Sequence, residues 1–338
     1  MLVKIFKFKN LKFIPLIFLS ACIENAPLDS LSPEGPYARS IDELFWITFW
    51  IAVGVFVIVQ GALLLSVFVF KEKPDSPEPK QIHGNTKLEI LWTVIPALIL
   101  AAIAVPTVQT IFDLAREPED ALKIEVIGHQ WWFEYKYPDY GITTANVLVI
   151  PADKPVRLEM WSNDVLHNYW VPKLNGKRYL VPGQTTYLNL HADSPDEFWA
   201  QCGEYCGLSH SKMRGRVLSL SQKDFDIWVA NEQKNATAFS NEDLSLAAEG
   251  QQVYLNAGCT QCHVVNGVWD VQGDRIAPNL THFAVRNVFA GAALENNREN
   301  LTRWLANPAE VKPGTFMPNL ELTESEINAL IAYLETLK

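Results

Sequence analysis

Two long apolar segments dominate the first third of the chain. Residues 44–70 contain no charged side chain, and the second segment is apolar from 90 to 108 although it includes two prolines. Each is long enough to cross the hydrocarbon core of a bilayer, and prolines are tolerated in helices inside membranes. The pattern therefore predicts two transmembrane helices, at about 44–70 and 88–112, which form a hairpin over residues 44–114.

Between residues 121 and 220 the pattern changes to short runs of β-prone residues, separated by Pro, Gly, Asn and Asp. The runs cover residues 122–137, 146–150, 155–161, 184–192, 196–202 and 214–221. Short strands at this spacing are typical of an all-β sandwich. We assign residues 115–228 to this second domain.

The last quarter of the chain has a helical pattern. A polar segment, 229–243, predicts a linker, and 244–338 is predicted to form a third, all-α domain. The chain ends in an amphipathic helix whose first turn has a capping box formed by Thr323 and Glu326. Its apolar face is formed by Ile327, Leu330, Ile331 and Leu334. We expect this helix to pack on an earlier one near Gly250 and Tyr254.

The first 22 residues have the order of an export signal. Four lysines precede a short apolar run, 13–19, which is too brief to span a bilayer and ends in Leu-Ser-Ala followed by Cys22. This ending resembles the bacterial lipobox, so we predict a lipoprotein-type signal peptide over 1–21, an acylated Cys22 and an exported segment over 22–43. A cysteine that happens to end a signal region is the alternative.

Charge gives the two apolar segments an orientation. The loop 71–87 between them carries four lysines, whereas acidic residues flank their outer ends. Because lysine-rich loops stay in the cytoplasm, both termini are expected on the outer, periplasmic face of a bacterial plasma membrane. The net charge of −10 argues against nucleic acid as a partner and favours a cationic one.

A short loop between the last two predicted strands concentrates side chains that bind metals. It contains Cys202, Cys206, His210 and Met213. A disulfide between the two cysteines would close a very small loop and would not account for the histidine. A blue-copper site needs one cysteine and two histidines, whereas two thiolates can bridge two copper ions that each take one imidazole. The second imidazole is predicted to come from His167, on the connection between two strands.

The sequence Cys259-x-x-Cys262-His263 is the pattern of covalent c-type haem attachment. A redox-active dithiol does not need the histidine, and a zinc site would need another ligand pair. The surroundings resemble a class I cytochrome c, which implies axial ligation by His263 and Met317 and a hydrogen bond from His263 to the Pro278 carbonyl. The remaining histidines have no partner motif and are expected to be ordinary polar residues: His83, His129, His191 and His282.

Residues 128–135, 164–172 and 202–213 resemble subunit II of the haem–copper cytochrome c oxidases, and the likeness extends over about 40–225. That family has two transmembrane helices followed by a cupredoxin domain with a dinuclear copper A centre. The resemblance implies six copper-site residues, with methionine as a weak ligand and glutamate acting through its backbone carbonyl: His167, Cys202, Glu204, Cys206, His210 and Met213.

Three further roles come from the same resemblance. The Glu204 carboxylate would contribute to a magnesium site shared with subunit I, and Trp131 would be the point where electrons enter. Glu89 would lie at the mouth of a proton channel; the alternative is a solvated carboxylate at the membrane edge. Many family members have an acid where this chain has Tyr179, which weakens any expectation of carboxylate contacts to subunit I there.

Together these features predict subunit II of a respiratory cytochrome c oxidase with its own fused cytochrome c. Electrons from a soluble cytochrome c or similar donor would pass through haem c and copper A to subunit I, where oxygen reduction is coupled to proton pumping. Subunit I, other oxidase subunits and membrane lipid are the expected partners. A copper A subunit of a nitric-oxide reductase and a membrane-anchored electron shuttle are the alternatives, and nitrous-oxide reductase is disfavoured because it lacks the paired membrane helices.

Overall fold

The structure is a computed structural model that describes residues 26–71, 74, 77–78, 81–240, 242–270 and 276–338. The predicted signal peptide and Cys22 lie outside the described residues.

Two long helices form the apolar hairpin. Helix α1 spans Pro36–Val69 and helix α2 spans Thr86–Ala115, so both extend beyond the apolar segments that predicted them. Proline at the first position starts α1, and the Asn85 side chain caps α2 by accepting hydrogen bonds from two backbone N–H groups. Their large apolar side chains are mostly exposed, and both helices are long and apolar enough to cross a membrane.

The predicted β-sandwich is present. In the described residues it has ten strands: β1 Leu122–His129, β2 Trp132–Tyr137, β3 Ile142–Ala145, β4 Val147–Pro151, β5 Val156–Ser162, β6 His167–Trp170, β7 Lys177–Leu180, β8 Thr186–Leu190, β9 Asp196–Cys202 and β10 Arg214–Leu220. One sheet has the order β3-β2-β1-β5-β8 and the other β4-β10-β9-β6-β7. The apolar side chains of the two sheets share one buried core.

His167 lies on a strand, so the prediction that it lies on a connection is wrong. It is the first residue of β6, which pairs with β9 through Tyr169 opposite Cys202 and with β7 on the other side. The polar pair His167 and Asn168 hides this strand from a search for apolar runs, although both side chains are buried. Strand β6 therefore presents His167 beside the end of β9, where the cysteine loop begins.

The C-terminal domain is mainly helical. Helix α3, Gln222–Glu232, precedes it and packs on the sandwich core through Phe225 and Val229. The helices of the C-terminal domain are α4 Leu246–Asn256, α5 Arg298–Ala306, α6 Pro308–Val311 and α7 Glu324–Leu334; β11 Val288–Phe289 pairs with β12 Leu294–Glu295. The capping box of α7 is confirmed, and so is its packing on α4. A Cβ atom at Gly250 would collide with the carbonyl oxygen of Ala329, and the Tyr254 and Tyr333 rings lie 5.8 Å apart.

The segment expected to be a linker packs on the C-terminal domain. Its first residues belong to α3, and the Ala236 N–H then donates to the carbonyl of Asn266 at 2.9 Å. The Gln251 side chain exchanges hydrogen bonds of 2.8 and 3.1 Å with the backbone of Phe239. The connection is therefore held by hydrogen bonds to the C-terminal domain, while the Gln233 side chain donates to the Tyr140 carbonyl of the sandwich at 2.9 Å.

The β-sandwich is fastened to the outer ends of both long helices. The Asn189 side chain donates to the carbonyl oxygens of Leu114 and Arg116, at 3.0 and 2.7 Å, and so satisfies the end of α2. At the start of α1, Arg39 forms an ion pair with Asp193 in the sandwich. These contacts fix the sandwich directly above the helical hairpin.

The close packing of α4 on α7 leads to a stability prediction. Gly250→Val should lower the free energy of unfolding of the C-terminal domain by about 3 kcal/mol, because the new side chain has no room against the Ala329 carbonyl. Gln252→Val, on the exposed side of the same helix, is the control and should cost only ~0.5 kcal/mol in helix propensity. Denaturant unfolding followed by haem absorbance measures both; equal midpoints would contradict the packing.

Candidate metal centre and haem site

The cysteine loop is held in shape by its own backbone. It begins at Cys202, the last residue of β9, and its two ends are joined by the Cys202 N–H, which donates to the carbonyl of Met213 at 3.0 Å. Gly207 has φ +116°, and a Cβ atom there would lie 3.0 Å from the ring of Trp131. Glycine therefore allows the loop to turn directly against that ring.

Two sulfurs and two imidazoles meet inside this loop. The Sγ atoms of Cys202 and Cys206 are 3.8 Å apart, and both residues are free thiols. His167 Nδ1 lies 4.0 Å from Cys202 Sγ, while His210 Nδ1 lies 3.6 Å from Cys206 Sγ. One imidazole therefore lies beside each sulfur. Two metal ions bridged by the two thiolates would each take one of these imidazoles.

Two weaker donors complete the group. The carbonyl oxygen of Glu204 lies 3.3 Å from Cys202 Sγ, and Met213 Sδ lies 3.9 Å from Cys206 Sγ. All six residues of the predicted copper site are thus brought together. The ligand atoms of His167 and the two cysteines lie within 4.8 Å of one another, and these three residues are buried. Thiolate, thioether and imidazole donors in one buried cluster fit copper.

Asp164 orients one of the imidazoles, a role that the sequence analysis missed. Its Oδ1 atom lies 2.7 Å from His167 Nε2, so the other ring nitrogen faces the sulfurs. Burial raises the pKa of Asp164, but the hydrogen bonds from His167 and from two backbone N–H groups outweigh it and lower that pKa overall. The signal was an acidic residue three positions before the histidine.

The two thiols are hydrogen-bonded to each other, and their pKa values shift in opposite directions. Their hydrogen bond is the main cause that lowers the pKa of Cys202, and the same contact raises the pKa of Cys206. One thiol of the pair is therefore easier to deprotonate than the other. Metal cations favour the thiolate form, so a bridged pair of ions would remove the second proton as well.

Trp131 is joined to the cysteine loop. Its indole Nε1 donates to the carbonyl oxygen of Cys206 at 2.9 Å, and the neighbouring Gln130 side chain donates to the same oxygen at 2.7 Å. The Trp131 side chain is buried, at 5% exposure. A Cβ atom at Gly314 would lie 2.8 Å from Trp131 Cη2, so the C-terminal domain covers this ring.

The C-terminal domain has a site that fits haem. Cys259 and Cys262 are free thiols on one short turn, and His263 follows them. His263 Nδ1 lies 2.8 Å from the carbonyl oxygen of Pro278, which leaves Nε2 as the nitrogen available to iron. Burial lowers the pKa of His263, and this effect outweighs the hydrogen bond to Pro278, which raises it. The lowered pKa favours the neutral imidazole that can bind a metal. Met317 packs against the core of the same domain.

Two other predicted residues have local partners. The Glu204 carboxylate is the nearby acceptor and negative charge that raises the pKa of the Tyr179 phenol. Glu89 is exposed near the start of α2, and its Oε1 atom accepts the backbone N–H of Asn85 at 3.2 Å. The structure therefore shows an exposed Glu89 with a capping contact at the start of α2.

Two histidines expected to be ordinary polar residues are buried and bonded. His129 Nε2 lies 3.0 Å from Glu134 Oε2, and the His129 ring stacks on Trp132 with centroids 4.2 Å apart. His282 Nε2 lies 3.1 Å from the carbonyl oxygens of Glu232 and Lys234. The first pair was recognisable, because β1 and β2 form a hairpin; the second joins segments about 50 residues apart and left no local signal.

A β-sandwich with a soft-metal cluster, fixed on two membrane-type helices and joined to a haem-type domain, defines a membrane-anchored electron-transfer protein. Comparison with family models gives three matches: the transmembrane domain of cytochrome c oxidase subunit II at residues 29–110, its periplasmic domain at 141–219, and cytochrome c at 247–338. The chain belongs to the cytochrome c oxidase subunit 2 family. Family membership implies copper A and haem as cofactors and an oxidoreductase role.

Individual relatives agree with this. The chain is 37% identical over 339 residues to cytochrome c oxidase subunit 2 of Alkalihalophilus pseudofirmus, and the aligned region covers 97% of both chains. It is 37% identical over 278 residues to the subunit 2 of Bacillus subtilis, covering 77% of each. Among solved structures, the periplasmic domain of subunit II from Bradyrhizobium japonicum is 25% identical with a TM-score of 0.34, and covers 36% of this chain and 97% of that one.

The cysteine pair gives a direct test of the metal centre. Cys206→Ser should abolish the mixed-valence copper signal in electron paramagnetic resonance, because one bridging thiolate cannot hold both ions. The haem absorbance should remain. Cys262→Ser is the reciprocal control and should disturb haem attachment while the copper signal stays. Two copper ions bound to a Cys202→Ser/Cys206→Ser double variant would refute the site.

Proposed function

We propose that this chain is the electron-accepting subunit of a proton-pumping cytochrome c oxidase, which takes electrons from an external donor and passes them through haem c and copper A to subunit I. The observation that carries this proposal is the contact of Trp131 with both domains. Its indole bonds to the cysteine loop, and its ring lies against Gly314, three residues before Met317. The two predicted redox sites are therefore joined by a short run of packed residues.

We assign a full set of ligands to each cofactor. We assign covalent haem attachment to Cys259 and Cys262 and axial ligation to His263 and Met317. The copper ions are assigned to the cluster described above: His167, Cys202, Glu204, Cys206, His210 and Met213. Both groups supply reversible one-electron transfer when bound. The protein holds their ligands in a rigid sandwich and a packed helical domain, which limits the geometric change between oxidation states.

The surface charge favours a basic donor that docks on the C-terminal domain. Residues 241–338 contain twelve acidic and six basic side chains, so this domain attracts a cationic protein at a salt-dependent rate. Because the same domain covers Trp131, that ring is not open to an external donor. We infer that Trp131 receives electrons from within the chain.

The remaining assignments follow from the family. We propose a signal peptide over 1–21 with lipid on Cys22, a cytoplasmic loop over 71–87, and the copper domain 115–228 and haem domain 244–338 on the periplasmic face. The Glu204 carboxylate is proposed to share a magnesium site with subunit I. The effect of this carboxylate on the pKa of Tyr179 is one interaction that a bound ion would change.

Turnover of the purified complex tests the proposed function. An oxidase should consume oxygen with a reduced basic cytochrome as donor, and the rate should fall as salt screens the acidic domain. We also expect this chain to copurify with subunit I in mild detergent. Turnover of nitric oxide in place of oxygen would identify the copper A subunit of a nitric-oxide reductase, and recovery without a catalytic partner would identify an electron shuttle.

We also propose that Glu89 belongs to a proton path at the cytoplasmic end of α2. Glu89→Gln should slow steady-state turnover without changing either metal spectrum, because it removes the ionisable group but keeps an oxygen that can accept the Asn85 N–H. Asn85→Ala is the matched control: it removes the helix cap and should leave turnover unchanged. Normal turnover of Glu89→Gln across the working pH range would contradict the proton path, and Glu89 would then serve only to cap α2.

A further inference from the structure

A buried lysine lies where the two redox domains meet. Lys312 is only 3% exposed, and its Nζ atom donates to the carbonyl oxygen of Trp131 in the sandwich and to that of Ala290 in the C-terminal domain, the latter at 2.9 Å. Lysines are almost never fully buried, because the ammonium group loses its hydration. One side chain therefore binds the backbone of both domains.

Three more hydrogen bonds cross the same boundary. The Lys212 ammonium donates to the carbonyl of Val311, and the Ser209 hydroxyl donates to the carbonyl of Pro313 at 2.7 Å. The backbone N–H of Arg214 donates to the carbonyl of Gly291 at 2.8 Å. We call residues 209–214 with 290–291 and 311–314 the interdomain joint. Its acceptors are backbone carbonyls, which fix the path of the chain and not merely the position of side chains.

The joint lies against the residues that the proposed electron path uses. Gly314 has φ +80°, and its position against the Trp131 ring leaves no space for a larger residue. Lys312 and Gly314 begin the segment that leads to Met317, the proposed haem ligand. A shift of this segment would therefore change the separation between the haem ligand and Trp131.

We propose that Lys312 is a positioning residue that locks the haem domain onto the copper domain. Electrons then cross one fixed joint. Without the lock, the haem domain would be tethered only by the chain and would have to dock again before each transfer. This inference rests on the proposed function. Burial lowers the pKa of Lys312 to about 7. The lock does not depend on the proton, because a neutral amine keeps two N–H groups for two carbonyls.

The test uses the complete oxidase with haem c reduced by a light pulse. In the wild-type complex, the haem should be reoxidised by the copper centre at a rate that does not depend on solvent viscosity. Lys312→Met has a similar length but donates no hydrogen bond, so the transfer should become about tenfold slower and viscosity-dependent. Both metal spectra should remain. Lys223→Met, on the exposed face of α3, is the control and should behave as wild type.

A second variant disturbs the joint while the lysine stays. Gly314→Ala places a Cβ atom 2.8 Å from Trp131 Cη2 and should produce the same viscosity dependence. Wild-type transfer in either variant would overturn the proposal, as would a viscosity-dependent rate in the wild-type complex. Loss of either metal spectrum in Lys312→Met would assign the lysine to folding and also overturn it. Absence of any transfer from haem to copper in the wild type would instead refute the proposed function.

Discussion

The hydrogen bond from the Trp131 indole to the Cys206 carbonyl is the contact on which the functional half of the molecule depends. A buried N–H group needs an acceptor, so the ring and the cysteine loop cannot move independently. The same residue offers its own carbonyl to Lys312 and its ring to Gly314. One tryptophan therefore contacts both the metal cluster and the C-terminal domain and links the two.

The cluster shows why a β-sandwich is a good support for such a site. Cys202 ends one strand and His167 begins its neighbour, so strand pairing fixes two donors from distant parts of the sequence. The other donors come from a loop that closes on itself between β9 and β10. Because Asp164 also holds one imidazole in place, the donors need little rearrangement to receive metal ions.

Local spacing predicted most of the cluster, and chain topology decided the rest. The cysteine loop, the haem motif and the cap of α7 are patterns within 15 residues, so the sequence alone was sufficient to identify them. The strand of His167 was missed because its short polar run becomes buried only when two neighbours pair with it. The interdomain joint was not predictable either, since Lys312 and Trp131 are 181 residues apart and nothing in the local pattern marks a lysine as buried.

The Asn189 contacts to the end of α2 have a consequence for the geometry of a respiratory complex. They satisfy the last carbonyl groups of a membrane-type helix with a side chain of the sandwich, at 3.0 and 2.7 Å. The sandwich is therefore attached to the helical hairpin by side-chain hydrogen bonds as well as by the chain itself. If the hairpin spans a membrane, this attachment would hold the cysteine loop at a constant distance from the end of α2, where an acceptor embedded in the bilayer would meet it.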